Sequence, residues 1–461
     1  MKHLKTLQRA TRRAALPAVS VMLALALAFA APPADAALTL EEAVAMAQRN
    51  DPWLQASAWR EEALSAQAVA AGALPDPTVE MGFANLPTDT FDFDQEAMTQ
   101  FKVGIAQTFP RGDTRALSQR RLDVLAEQFP HQREERRARL AVDVTVTWLE
   151  AYRARRSIGL IEQDRELFEQ LVDVARSSYA SALGRTRQQD LVRAQLELTR
   201  LEDRLAVLHQ RLETAQARLR EWLWPAGAPG QWAETGSIST GPGIELPALR
   251  LRHADLFREG QSPAPQRIAP LLDKHPAIQG LDSKIEAGAV EVKLARQKYR
   301  PQWKVNASYG YRDGNPTDGP DRPDFFSVGV GFDLPLFTSR LQDREVQSAI
   351  AGAEALRTDK MLALRSLLAG FEAEYSRLQR LDQRLQLYQT RLLREMEAQA
   401  EASLNAYTSD DGDFAEVVRS RIAELNARIE ALDIETERLQ TIARLNYFFA
   451  GADSAAQGET S

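Results

Sequence analysis

The sequence contains no cysteine. We therefore expect neither a disulfide framework nor a lipid attached to a cysteine. Histidine is scarce as well, and the four histidines after the N-terminal segment are scattered rather than placed at the spacing of metal ligands: His131, His209, His253 and His275. No glycine-rich phosphate loop stands at a strand–helix junction. These absences argue against an enzyme, and they predict no bound metal or cofactor.

Long apolar runs are confined to residues 14–31. That run follows five basic residues and precedes the small residues Ala34-Asp35-Ala36, which is the pattern of a secretory signal peptide. We therefore expect a signal peptide over residues 1–36 and export of the rest; an N-terminal membrane anchor is the alternative. No later stretch has the roughly 20 apolar residues of a membrane helix, so a membrane crossing would have to use strands.

The charge balance is acidic. The chain carries 57 basic and 64 acidic side chains, and the first 36 residues hold five of the basic ones and one of the acidic ones. The exported part would therefore carry 52 basic and 63 acidic side chains, a formal net charge of −11. Such a surface argues against nucleic acid as a partner and tolerates cations.

The sequence after residue 36 reads as two related halves. Matching segments are 224, 225 or 226 residues apart: Asp51-Pro52 and His275-Pro276, Val103-Gly104 and Val328-Gly329, Arg115 and Arg340, and Asp190 and Glu416. Because the offset is nearly constant through different kinds of segment, it predicts an internal duplication. The repeats would span residues 37–223 and 271–450. Residues 224–270 between them would form a collar or a plain linker, and residues 451–461 a disordered tail.

Each half has the same predicted order of elements, namely a helix, a pair of strands, a long helix and a last helix. The predicted helices are Leu40 to Leu74, Thr114 to Ala182 and Gln188 to Leu223 in the first half, and Leu271 to Lys298, Ser339 to Leu404 and Phe414 to Phe449 in the second. The long helices would reach roughly 100 Å, which suits a wall of upright helices. Leucines at heptad spacing predict that the helices pair along narrow seams, and Pro130 is expected to interrupt the first long helix.

The strand pairs are predicted over residues 77–109 and 302–335. Apolar residues alternate there with small or polar ones, and the second pair places these apolar residues on one face: Trp303, Val305, Ala307, Tyr309, Tyr311, Phe326, Val328, Val330, Phe332 and Leu334. This pattern is typical of outer-membrane barrel strands; a soluble hairpin packed on the helices is the alternative. Four strands cannot close a barrel, and open edges cannot face lipid. We therefore predict a homotrimer whose twelve strands contact outer-membrane lipid.

The chain resembles the TolC family of outer-membrane efflux proteins over nearly all of its length after residue 36. The resemblance rests on Leu38-Thr39-Leu40-Glu41-Glu42-Ala43, Asn50-Asp51-Pro52 and Gln107-Thr108-Phe109-Pro110-Arg111-Gly112. It implies a mainly α-helical fold with a small membrane β-barrel of four strands per protomer, an equatorial collar and a periplasmic helical tunnel. It also implies two partners, a periplasmic adaptor protein and an inner-membrane pump.

The segment from Asn85 to Gln100 is similar to members that accompany heavy-metal pumps of the resistance–nodulation–division type. This similarity implies metal cations as the exported cargo. A multidrug or type I secretion channel is the first alternative, and a soluble periplasmic coiled-coil scaffold is the second. Met81 and Met98 lie in the first strand pair; thioethers suit Cu(I), but we expect packing or chance to explain them.

The predicted periplasmic tip holds the candidate functional residues. Asp410, Asp411 and Asp413 from three copies would form a negative ring that favours cations, with Asp190 and Glu416 just inside it. The basic residues expected to pair with these acids, and so to hold the tip closed as a gate, are Arg176, Arg185 and Arg187. The glycines expected to allow left-handed turns are Gly184 and Gly412. The alternative is that these acids cap the helix beginning at Phe414.

Overall fold

A computed structural model of the chain describes residues 38–180, 188–224, 245–257, 263–314, 322–409 and 411–452. The predicted signal peptide, most of the segment between the halves and nearly all of the predicted tail lie outside the described residues. The first half contains α1 (Leu40–Asn50), α2 (Pro52–Gly72), β1 (Thr78–Ala84), β2 (Gln100–Phe109), α3 (Thr114–Ala126), α4 (Gln128–Ala180) and α5 (Gln188–Leu223). The second half contains α6 (Pro265–Asp273), α7 (Pro276–Gln297), β3 (Trp303–Tyr311), β4 (Phe325–Phe332), α8 (Gln342–Leu387), α9 (Leu393–Thr408) and α10 (Phe414–Tyr447).

The first predicted helix of each half is two helices, so the expectation of one continuous helix is wrong. Between α1 and α2, Asp51 is extended and its carboxylate accepts a hydrogen bond from the backbone N–H of Trp53 at 3.1 Å. Between α6 and α7, the ring of His275 accepts from the N–H of Ala277 at 3.2 Å. In both cases a proline follows as the first helical residue, where its missing N–H costs nothing.

The first long helix is interrupted near Pro130, as predicted. α3 ends at Ala126 and α4 begins at Gln128, so the break precedes the proline by several residues. The proline thus occupies the first turn of α4, where backbone N–H groups have no intrahelical partner. The matching helix in the second half continues from α8 to α9 through a π-helical turn, Tyr388–Leu392.

Two clusters of buried side chains hold the helices together. The first includes Trp148 of α4, Phe371 of α8 and Phe449, and Leu249 and Phe257 of the segment before α6 pack against it. Asn446 fixes the same segment, donating to the carbonyl of Arg250 at 2.9 Å. The described part of the region between the halves is therefore packed on the helices.

The second cluster follows the seams between the long helices. α5 contributes leucines at the predicted heptad spacing, including Leu201, Leu205, Leu208 and Leu212. They pack with residues of α4 and α10, so α4 lies between α5 and α10. The result is a row of upright helices whose outer surfaces carry most of the charged side chains.

The four strands form one antiparallel sheet in the order β1-β2-β3-β4. The central pairing joins the halves, with Ile105 opposite Ala307, and the outer pairings place Val79 opposite Ile105 and Ala307 opposite Val328. β1 and β4 are edge strands in the single chain, and the sheet is not closed.

Candidate functional site

One face of the sheet is apolar and exposed. Its side chains form five rows across the strands, and the middle row contains Val79, Ile105, Ala307 and Val328. Val79 and Val328 are 56% and 63% exposed. Aromatic residues occupy the rows at both ends: Phe83, Phe101 and Tyr311 at one end, and Phe109, Trp303 and Phe332 at the other. None of the described helices covers this face.

The opposite face is polar and carries small residues. It includes Glu80, Lys102, Lys304 and Asn306, together with several glycines. A cavity on this side is lined by Glu80, Lys102, Asn306 and Ser308, among others. An uncovered apolar face suits contact with lipid, and a polar face with small residues suits contact with water.

The described part of the tip is a tight connection between α9 and α10. The backbone N–H of Ser409 donates to Asn405 at 3.0 Å, and that of Asp411 donates to Ala406 at 2.9 Å. A side chain at position 412 would meet the backbone nitrogen of Tyr407, since a Cβ there would lie 2.6 Å from it. Gly412 does not have a positive φ, so its predicted left-handed conformation is wrong and close packing is the reason for glycine.

Asp413 is the N-cap of α10. Its carboxylate accepts from the N–H of Ala415 at 3.1 Å, and its carbonyl accepts from Glu416 at 3.0 Å. A carboxylate here also interacts favourably with the positive end of the helix dipole. The alternative role, helix capping, is therefore present in the structure. Asp410 lies outside the described residues.

The other described candidates at the tip differ in their surroundings. Asp190, in the first turn of α5, is buried with 6% exposure, so the protomer does not present it on an open face. Glu416 pairs with Arg419 on its own helix at 3.0 Å, and Arg176 pairs with Asp173 at 3.4 Å. Arg185, Arg187 and Gly184 lie outside the described residues.

A buried ion network that the sequence analysis missed joins α4 and α10. Glu424 has a side chain only 5% exposed; it accepts from Arg421 at 2.8 Å and from Arg428. Arg428 also lies 3.5 Å from Asp164 of α4. Burial raises the pKa of Asp164, and the neighbouring Arg428 opposes that shift. The sequence signal for this network is an acidic residue with one arginine three residues before it and another four residues after it, within an apolar seam.

His275 serves the structure rather than a metal site. Its second ring nitrogen lies 3.2 Å from the carbonyl of Tyr447, and burial lowers its pKa. The hydroxyl of Tyr447 donates to Glu135 at 2.8 Å, and burial raises the pKa of Tyr447 to about 12. Among the described residues, no group of three or more His, Asp or Glu is placed to hold a metal ion.

The two methionines singled out in the sequence are exposed, Met81 by 71% and Met98 by 54%. Met81 lies on the apolar face of the sheet, opposite Val103. None of the described helices combines the length and the apolar character that crossing a bilayer requires.

Comparison with protein families matches the second half of the chain. Residues 268–449 match the outer membrane efflux protein family. The matched region begins within α6 and ends just after α10, so it includes β3, β4 and the π-helical turn. No sequence match to a curated protein is found.

Solved structures extend the likeness to the first half. The outer-membrane channel OprN is 16% identical, with a TM-score of 0.71 over 89% of this chain and 90% of that one. VceC from Vibrio cholerae is 14% identical, with a TM-score of 0.69 over 89% of this chain and 96% of that one. CusC is 13% identical, with a TM-score of 0.68 over 89% and 92%. At such identities the likeness establishes the fold, and the predicted TolC-like fold class is confirmed.

Proposed function

We propose that this chain is one subunit of a trimeric outer-membrane channel that serves as the passive duct of a tripartite efflux system. The observation that carries the proposal is the open sheet, with an uncovered apolar face on one side and a polar face on the other. Two unpaired edges cannot remain in lipid. Pairing β4 of one copy with β1 of the next would close twelve strands around the polar faces.

Membrane fractionation and planar-bilayer conductance test this proposal. We expect the protein in the outer-membrane fraction, and we expect the purified oligomer to open ion-conducting channels. A matched control is the same preparation after heat denaturation. Recovery of the protein in the soluble periplasm would support the coiled-coil scaffold instead. That alternative leaves the exposed apolar face without a partner, so we do not favour it.

The helical wall supports the proposed partners. The helices α8 and α9 lead from the sheet to the connection between α9 and α10, which we propose as a contact for a periplasmic adaptor and, through it, an inner-membrane pump. The matched family and the solved channels support the location of the sheet in the outer membrane. The chain itself needs no energy source in this arrangement, because the pump supplies it.

Heavy-metal cations are the cargo that we propose, on the similarity of residues 85–100 to metal-efflux members. Deletion strains decide between metals and organic compounds. Loss of the gene should sensitise cells to copper, silver, cobalt, zinc or cadmium, with complementation by the intact gene as the control. Sensitisation to antibiotics and dyes alone would contradict the metal assignment and leave the channel in place.

The acids at the tip are our proposal for cation selectivity. Asp411 and Asp413 belong to the described turn, and Asp410 would join them; three copies would bring nine carboxylates to one entrance. Asp413 has a second role as the cap of α10. A substitution that tests the role of Asp413 in selectivity must therefore remove its charge and keep the cap of α10.

A further inference from the structure

An exposed apolar patch follows β4. We name the side chains of Leu334, Leu336, Phe337 and Leu341 the junction patch; they are 60%, 72%, 86% and 57% exposed. Phe337 is the most exposed of the large apolar side chains in the described part of the chain. Isolated apolar side chains on a surface are ordinary, but a contiguous group marks an interaction surface.

The junction patch continues the apolar face of the sheet. From Phe326 to Leu336 every second residue of the chain is apolar and more than half exposed: Phe326, Val328, Val330, Phe332, Leu334 and Leu336. Exposed apolar residues thus continue past Phe332, the last residue of β4, into a tight turn at Pro335, where the N–H of Leu336 donates to the carbonyl of Leu334 at 2.9 Å. The apolar side chains therefore extend along the chain beyond the strand, into the turn that leads to the helical wall.

The corresponding junction of the first half has no such patch. Arg111 and Gly112 occupy the positions that match Leu336 and Phe337. The side chain of Arg111 is bound within the protomer, to the carbonyl of Lys298 at 3.0 Å and to the carboxylate of Asp333. The junction of the first half is therefore held by polar contacts within the protomer, whereas the junction of the second half exposes apolar side chains.

Basic side chains come directly after the apolar ones. Arg340 and Arg344 are exposed and make no ion pair with the described residues; Arg344 donates only to Gln347, at 2.8 Å. Apolar side chains next to free arginines fit the boundary between acyl chains and phosphates. A surface of a second copy of this chain would require acidic or apolar partners instead.

We propose that the junction patch is embedded in the periplasm-facing leaflet of the outer membrane, with Arg340 and Arg344 at the level of the phospholipid phosphates. This inference rests on the proposed function, since it places the sheet in the bilayer. The patch would set how deep the sheet sits and where the membrane ends and the helical wall begins. The second half of each protomer would supply this anchor, at three places around the trimer.

Spin labels at single cysteines test the inference, because the natural chain contains no cysteine. The variants are Phe337→Cys and, as a second probe of the patch, Leu336→Cys. Val328→Cys, in the middle of the apolar face, reports whether the sheet is in lipid. Ser348→Cys, at an exposed position of α8, is the aqueous control. Each labelled protein is reconstituted in phosphatidylethanolamine and phosphatidylglycerol vesicles, and its accessibility to oxygen and to a water-soluble nickel chelate is measured.

We expect the labels at positions 336 and 337 to favour oxygen over the nickel chelate, at a depth of about 5–10 Å below the phosphates. The label at position 348 should favour the chelate. If the labels at 336 and 337 behave like the one at 348 while that at 328 is in lipid, the inference is wrong and the proposed function stands. Low accessibility to both reagents at 336 and 337 would assign the patch to another copy of the chain and would also overturn the inference. A water-accessible label at 328 would overturn the proposed function itself.

Discussion

A lysine on the apolar face of the sheet should destabilise the protein in a membrane. Val328 lies in the middle of the five rows. Rows are two residues apart, so five rows span about 27 Å along the strand, or about 20 Å across the membrane at the usual strand tilt. The middle row is then about 10 Å from either interface. A lysine at this depth of an outer-membrane barrel costs about 2–4 kcal/mol.

The control is the neighbouring residue on the polar face. Ser327 is exposed and lies opposite Ser308, without a lysine as its cross-strand partner. Ser327→Lys should change the free energy of folding by no more than about 0.5 kcal/mol, as most surface substitutions do. The assay is urea-dependent folding into lipid vesicles, followed by tryptophan fluorescence. Equal stability of Val328→Lys and Ser327→Lys would refute the assignment of the two faces.

Three further predictions concern the helices and the tip. Glu424→Ala leaves Arg421 and Arg428 without the buried carboxylate that they share, so it should destabilise the helices by about 2–4 kcal/mol. Circular dichroism in urea measures this loss. The control is Glu397→Ala, at an exposed position of α9. Asp164→Asn should stabilise the protein at pH 7, because burial raises the pKa of the native carboxyl, and a raised pKa opposes folding once the group ionises. The stability gained by Asp164→Asn should shrink as pH falls and vanish below 3.8, the ordinary pKa of an aspartate. A gain that stays constant with pH would show that the raised pKa of Asp164 is not its cause. Asp411→Asn and Asp413→Asn together should weaken cation selectivity in planar bilayers. Asn at position 413 keeps a capping oxygen, so this variant tests the loss of charge without loss of the cap, and Asp413→Ala, which loses both, is the comparison. Unchanged selectivity in the double variant would leave these acids with a structural role only.

The strands were predictable because their signal is local. Alternation of apolar and small residues with period two placed all four strands, and the structure puts the apolar residues of β3 and β4 on one exposed face. Four strands with open edges are also the feature from which the sequence predicts a trimer. The interruption near Pro130 was predictable for the same reason, since a proline removes a backbone donor wherever it stands.

Other features depend on contacts that a sequence does not display. The breaks at Asp51 and His275 were missed because apolar residues continue on both sides of the following proline. The π-helical turn at Tyr388–Leu392 has no signature in the types of residue that form it. The sequence separation between matching residues of the two halves does grow by one, from 225 before the turn to 226 after it. The network around Glu424 required knowing that Asp164, 260 residues earlier, faces it across the seam.

The roles of the tip acids were the least predictable part of the site. Asp413 both caps α10 and carries charge at the proposed entrance, and sequence cannot separate two roles of one carboxylate. Asp190 matches Glu416 in the repeat, yet only Asp190 is buried. Residues at matching positions of the two repeats therefore have different surroundings, because the two halves pack together in one helical wall.

We propose that three copies of the chain close the sheet into a barrel. Native mass spectrometry of the protein, extracted from outer membranes in a mild detergent, tests it most directly. We predict the mass of three chains, retained when the detergent is exchanged, and a lower yield of this species for Val328→Lys. A species with the mass of a single chain, stable in the same detergent and still able to conduct ions, would contradict the account.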